Sequence, residues 1–176
     1  RDSLYSTFMQ RAYDQLLHDV CINGLPVILT LDRSGIVGKD GETHQGIFDI
    51  SYLSSIPGIT VLSPMDGEEL KISLDYAMYH QKAPVAIRYP RGAAYVYKGT
   101  HTAIEYGKAE VLQEGTEVLI LAVGNMVKIA LETADRLKGS GICPTVVNVR
   151  FVKPFDEALV ERLSKSHSYV VAMEDN

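Results

Sequence analysis

Between Asp32 and Gly46 the chain places Arg33, Asp40 and His44 among four glycines, all within fifteen residues. The apolar run Leu25 to Leu31 stops abruptly at Asp32-Arg33, so this loop leaves the carboxyl end of a strand expected over Val27–Leu31. Ligands of open α/β sheets bind at that edge. Glycine lets the backbone turn with positive φ and approach a ligand closely, and His44 is the side chain here that titrates near neutral pH. An acid near an imidazole can raise its pKa and orient it for proton transfer. Asp40 and His44 are therefore the candidate catalytic residues. The competing reading is a turn aspartate beside an exposed histidine.

Arg33 and Arg91 both follow the ends of expected parallel strands, Leu25–Leu31 and Val85–Tyr89. Two guanidinium groups at one sheet edge suit a phosphate or carboxylate, because each offers planar paired donors. A salt bridge to Asp32 or to a nearby helix accounts for the same spacing, and spacing alone does not choose between them. Pro90 fixes the backbone just before Arg91. Arg88 lies inside its strand and is expected to pair within the protein. Tyr5 and Arg11 flank Phe8 at the start of the first helix, where an aromatic on an apolar face is ordinarily core. His18, His80, His101 and His167 fall on helix faces, helix ends or the linker and suggest no chemistry. Gly124 reads as an ordinary strand–helix joint.

Helical spacing of apolar residues runs from Thr7 to Val20. A weaker helical patch covers Ile47 to Leu53, and Ile59–Leu62 reads as a strand. Asp66-Gly67-Glu68-Glu69 resembles a capping box opening a helix to about Tyr79, and strand Val85–Tyr89 follows. Ala93 to Tyr106 has no sustained period. Beyond it come Ala109–Leu112, strand Val118–Val123, helix Met126–Lys138, strand Thr145–Val149, helix Asp156–Leu163 and strand Tyr169–Met173. Strands alternating with helices imply parallel sheets with right-handed crossovers. The expected organisation is α/β: a partial parallel-sheet domain over 1–91, a linker over 92–105, and a smaller α/β unit over 106–176. The pattern at both ends is that of a piece of a longer protein.

A net charge of −5 with no Lys/Arg cluster argues against a nucleic-acid surface, so any anion site must be local. No apolar run reaches the ~20 residues of a membrane span. Cys21 and Cys143 are far apart, with no Cys-x-x-Cys spacing, and are expected to be buried reduced thiols. That usage suits a reducing cytoplasm.

Four stretches carry a resemblance: Tyr5 to Gln15, Asp32 to Gly46 with Phe48-Asp49 after it, Arg88-Tyr89-Pro90-Arg91-Gly92, and Arg150-Phe151-Val152-Lys153-Pro154. In order, and over essentially the whole chain, they resemble the 1-deoxy-D-xylulose-5-phosphate synthases. The core Asp40-Gly41-Glu42-Thr43-His44-Gln45 is shared with transketolases generally. The prefix Asp32-Arg33-Ser34-Gly35-Ile36-Val37-Gly38 and the run Tyr5-Ser6-Thr7-Phe8-Met9-Gln10-Arg11 are more specific to the synthases.

The resemblance implies an enzyme that uses thiamine diphosphate and magnesium. It would decarboxylate pyruvate and join the two-carbon unit to D-glyceraldehyde 3-phosphate, the first step of non-mevalonate isoprenoid biosynthesis. It also implies a pyrimidine-binding domain followed by a transketolase C-terminal-like domain, and a homodimeric whole enzyme in the cytoplasm, with a plastid left open. Carried over by position, Phe8 would stack on the cofactor's aminopyrimidine ring. Arg33 and Arg91 would hold the acceptor phosphate with Tyr5 and Arg11 beside them, and Asp40 and His44 would contact the acceptor. No metal ligand carries over. The family's activating glutamate and its diphosphate- and magnesium-binding domain are absent from these residues, so the chain alone is expected to bind the cofactor poorly and to catalyse nothing. The alternatives are another transketolase-like enzyme, such as a transketolase or a 2-oxoacid dehydrogenase beta subunit, or a silent assembly domain.

Overall fold

The computed structural model describes residues 3–176. A five-stranded sheet is ordered β1-β2-β4-β3-β8, from strands β1 (Leu4–Tyr5), β2 (Ile28–Asp32), β3 (Thr60–Leu62), β4 (Val85–Arg88) and β8 (Phe151–Lys153). The first four are parallel, and β8 runs antiparallel to β3. A second sheet is ordered β5-β7-β6-β9, from β5 (Glu110–Gln113), β6 (Glu117–Ala122), β7 (Thr145–Asn148) and β9 (His167–Met173). There β5 is the antiparallel member. The sheets are thus mixed rather than purely parallel, and β8 returns from the second half of the chain to edge the first sheet. Three residues are too few to show a period, so this strand carried no sequence signal.

Helices cover both faces of the first sheet. Alternation along the strands explains the split: Val61 packs with Met9, Leu16, Leu53 and Ile56, whereas Leu62 packs with Ala77, Ile87 and Phe151. The first face is covered by the segment Ser6–Cys21 and by α3 (Asp49–Ser55), the second by α4 (Gly67–Tyr79). Ser6–Cys21 is helical as expected but not uniform. It runs as α1 (Ser6–Met9), a 3-10 turn (Gln10–Ala12), α2 (Tyr13–Gln15) and a π-helical stretch (Leu16–Cys21). In the second sheet, α5 (Met126–Lys138) packs Val127, Ala130 and Ala134 on one face, and α6 (Glu157–Ser164) packs Leu159 on the other.

Helix α4 starts where expected, but its cap departs from the reciprocal pattern. Asp66 accepts from the Glu69 backbone N–H at 2.8 Å, as an N-cap does. The Glu69 carboxylate instead accepts from the Met65 N–H, from Asn148 Nδ2 and, at 2.6 Å, from Arg150 Nε. Arg150 also donates to Glu110 at 2.7 Å. This buried group joins the two halves. His101, expected to be unremarkable, is 7% exposed with Nε2 3.2 Å from Asp66 Oδ2. The stretch 93–106 holds no helix or strand, yet it is packed in place rather than loose: Tyr97 N–H donates to Asp66 and Thr102 N–H to Glu110. Cys21 is buried and Cys143 is exposed, which corrects the second cysteine: its turn lies on the surface before β7.

Candidate active site

The loop after β2 is closed at its base by a short antiparallel bridge. Gly35 N–H donates to the Gly46 carbonyl at 2.8 Å, and Gly46 N–H donates to the Gly35 carbonyl at 2.9 Å. A side chain at Gly46 would collide with the Arg33 carbonyl and lie 2.8 Å from Ser6 Cβ, so only glycine fits. Inside the loop Gln45 donates to the Gly41 carbonyl and accepts from Val37 N–H, each at 2.7 Å. Gly46 thus serves close packing within the chain, whereas Gly35, Gly38 and Gly41 supply the positive-φ turns that the sequence suggested.

Arg33 takes a left-handed backbone conformation, φ 60°, which turns its side chain back across the loop. Its Nε donates to Asp40 at 2.7 Å and its Nη1 to Asp32. The hydrogen bond to Asp40, more than the nearby charges, pushes the guanidinium pKa above its ordinary value. Arg91 approaches the other Asp40 oxygen at 3.5 Å. Both readings of the arginines thus appear together: they converge at one place, and they are salt-bridged. Two carboxylates compensate two cations there, so an entering anion competes with Asp40 for the same donors.

Beside this group, Tyr5 and Phe8 stack with centroids 5.5 Å apart and planes 7° from parallel. His44 meets both rings edge-on, at 6.0 Å from Tyr5 and 5.1 Å from Phe8. Arg33 lies over Tyr5 and Arg11 over Phe8, at 3.9 and 5.9 Å to the ring centroids. Phe8 is not core: 41% of it is exposed. The expected Asp40–His44 pairing is not formed. Asp40 is taken by the arginines, and His44 Nδ1 shares a hydrogen bond of 2.8 Å with the Thr43 hydroxyl. Four residues apart in a loop does not set a contact, and the stronger charge pairs decide where the carboxylate points.

A cleft of about 920 Å³ opens between the two halves, lined by Arg33, Arg91, Tyr89, Tyr95, Asn125 and Lys128 among others. Tyr5, Phe8, Arg11, Asp40 and His44 are not in its wall. They join it through the stack of Arg33 on Tyr5 and the pairing of both arginines with Asp40. The far wall, from α5 and the stretch 93–96, had no signal in the sequence, because it exists only once the halves pack.

Underneath lies a buried network that the sequence showed only in part. Arg88, 2% exposed, donates through Nε to both oxygens of Asp49 at 3.1 Å, and Ser6 donates to Asp49 at 2.9 Å. The internal pairing expected of Arg88 is thus present. Its partner Asp49 was hidden, since nothing in a helix-starting aspartate points to a strand 39 residues away. Glu69, His101 and Glu110 bring ligand-type atoms within 4.8 Å of one another, but Arg150 already donates to both carboxylates. A metal ion there would meet a guanidinium charge, so the group does not suit one.

Residues 2–95 match the model of the transketolase pyrimidine-binding domain, and residues 107–176 match that of the transketolase C-terminal domain. The chain belongs to the transketolase family. Among its relatives, proteins named 1-deoxy-D-xylulose-5-phosphate synthase from Chlorobium phaeovibrioides and Caldanaerobacter subterraneus are 48% and 51% identical. Each alignment covers 99% of this chain and 28% of the relative, so the chain spans a little over a quarter of their length. A solved structure titled split gene transketolase, inactive beta4 tetramer, is similar at TM-score 0.88 and 28% identity, over 98% of this chain and 56% of that one. Transketolase from Campylobacter jejuni shares the fold at TM-score 0.79 and 22% identity, over 98% of this chain and 30% of that one.

Proposed function

We propose that this chain supplies the acceptor side of the active site of a 1-deoxy-D-xylulose-5-phosphate synthase. In the whole protein, pyruvate would lose CO2 and its two-carbon unit would join D-glyceraldehyde 3-phosphate. The supporting observation is the continuity of two kinds of surface. The exposed Phe8 ring connects, through Tyr5 and Arg33, to a pair of arginines at a cleft. One surface suits a flat heterocycle, the other a phosphate.

Thiamine diphosphate, when bound, supplies the carbanion chemistry. The exposed Phe8 ring, backed by Tyr5 and edged by His44, fits its aminopyrimidine ring. Its diphosphate and Mg2+ would be held by polypeptide beyond these residues. Arg33 and Arg91 would grip the aldehyde's phosphate with Tyr5 and Arg11 alongside, and Asp40 would yield its donors to the phosphate and turn to the acceptor. His44, oriented by Thr43, would carry the proton at Nε2. The division into 1–91, 92–105 and 106–176, a homodimeric whole enzyme and a cytoplasmic setting belong to the same reading. No helix of the described residues is long and apolar enough to cross a membrane.

In the full-length protein, Arg91→Ala is expected to raise KM for the phosphorylated aldehyde about tenfold or more, since each charge-assisted hydrogen bond contributes roughly 1.5–3 kcal/mol. KM for pyruvate should stay within about twofold, because an interaction with one substrate does not register on the other. Equal losses on both would remove the arginine clamp. The similarity to a split-gene transketolase favours a second reading, a transketolase acting on sugar phosphates. Turnover of a ketose phosphate donor in place of pyruvate would select it.

A further inference from the structure

Arg88 touches neither the cleft nor the aromatic cluster, yet both are referenced to it. On one side its Nε holds Asp49, which accepts from the Ser6 hydroxyl. Ser6 lies between Tyr5 and Phe8 in sequence and presses against Gly46, at the loop base. On the other side its Nη2 donates at 3.1 Å to Asp175 and at 3.1 Å to Asn176, just past β9 of the second sheet. The Asp175 carboxylate in turn sits where a Gly35 side chain would be, on the opposite strand of the bridge. Nη1 donates to Ser63, after β3, at 3.3 Å. The bridge Gly35–Gly46 is therefore wedged between two side chains, Ser6 and Asp175, that a single buried guanidinium holds through its planar fork.

We propose that Arg88 is a positioning residue: with Asp175 it makes the second sheet a gauge for the loop that carries Arg33, Asp40 and His44. The second half of the chain then sets the acceptor site although Asp175 contacts none of those three side chains. Docking of β9 beside β6 brings Asp175 to Arg88 and closes the wedge. If docking loosens, the bridge opens and Arg33 loses its fixed place over Tyr5. The substrate consequence rests on the proposed function; the wedge itself does not.

The test uses the full-length protein. Arg88→Ala leaves Asp49 buried without its partner and is prone to unfold, so Asp175 is the position to change. Asp175→Ala removes one arm and keeps Arg88 on Asp49. Asp175→Asn keeps the shape and can still accept from Arg88. Hydrogen exchange followed by mass spectrometry on peptides spanning Gly35 and Gly46 should quicken about tenfold in Asp175→Ala, the scale of one lost charge-assisted hydrogen bond. In Asp175→Asn it should stay within about twofold of the parent, because a neutral acceptor retains much of the bond. Unchanged exchange in Asp175→Ala overturns the proposal, as does equal acceleration across β6 and β7, which would mean general loosening. Quickened exchange at the loop alone, with KM for the phosphorylated aldehyde raised and that for pyruvate unchanged, supports both the wedge and the acceptor assignment. Quickened exchange with both KM values unchanged supports the wedge and overturns the acceptor assignment.

Discussion

Arg33 lies over the ring of Tyr5, its guanidinium carbon 3.9 Å from the centroid, while its Nε donates to Asp40. A flat, delocalised cation is needed for that double engagement. Arg33→Lys keeps the charge and loses both the stack and the fork. Affinity for the phosphorylated aldehyde should fall about tenfold to a hundredfold, which corresponds to ~1.5–3 kcal/mol. Inhibition by inorganic phosphate, titrated against the aldehyde, measures it. Undiminished affinity would show that a point charge suffices.

The loop base offers a stability experiment independent of any ligand. Gly46→Ala would drive a methyl group into the Arg33 carbonyl and Ser6. Overpacking of this kind costs about 1–3 kcal/mol. Gly24→Ala meets open space at φ 61° and bears only the backbone strain of a left-handed residue, about 1 kcal/mol. Urea unfolding midpoints of the two variants should differ, with Gly46→Ala the lower. Equal midpoints would mean the bridge adjusts freely.

Tyr52 ties α3 to the same region, its hydroxyl donating to the Ser6 carbonyl at 3.1 Å. Burial pushes its phenol pKa well above the usual 10.0, and the neighbouring Asp49 adds to the shift. The folded protein thus prefers the neutral phenol. Its contribution is fully present below the unfolded pKa of about 10 and is lost as pH climbs beyond it. Tyr52→Phe should lower Tm at pH 8 by the loss of one hydrogen bond, about 0.5–1.5 kcal/mol. The parent should lose that advantage by about pH 11. Thermal unfolding across this range decides it; parallel curves would show that the phenol does not report on folding.

The two thiols should separate kinetically. Burial raises the Cys21 pKa, Lys153 offsetting part of the shift, whereas Cys143 is exposed. Thiolate supply and access both govern reaction with a disulfide reagent. One equivalent should react promptly and the second only on unfolding. Two prompt equivalents would contradict the burial of Cys21.

Much of this architecture was legible because it rests on long patterns. Helix Met126–Lys138 occupies the expected residues, and strands 28–32, 85–88 and 117–122 lie within a residue of the apolar runs that announced them. Residue types also brought Arg33 and Arg91 together correctly, since both leave strand ends on one sheet edge. What escaped depends on side-chain partners that no local spacing pattern names. Asp40 turned to the arginines rather than to His44. His101 looked like a linker residue until Asp66 closed on it.

Strand β8 carries a consequence for the order of synthesis. The first sheet receives its outer strand only when residues 151–153 have emerged, although its inner strand β4 ends at Arg88. Until then the edge of β3 stays free, an invitation to pair wrongly. Separate production of the two halves would leave one lacking a strand and the other carrying a spare, so the halves share one sheet even though their sequences match two domain models.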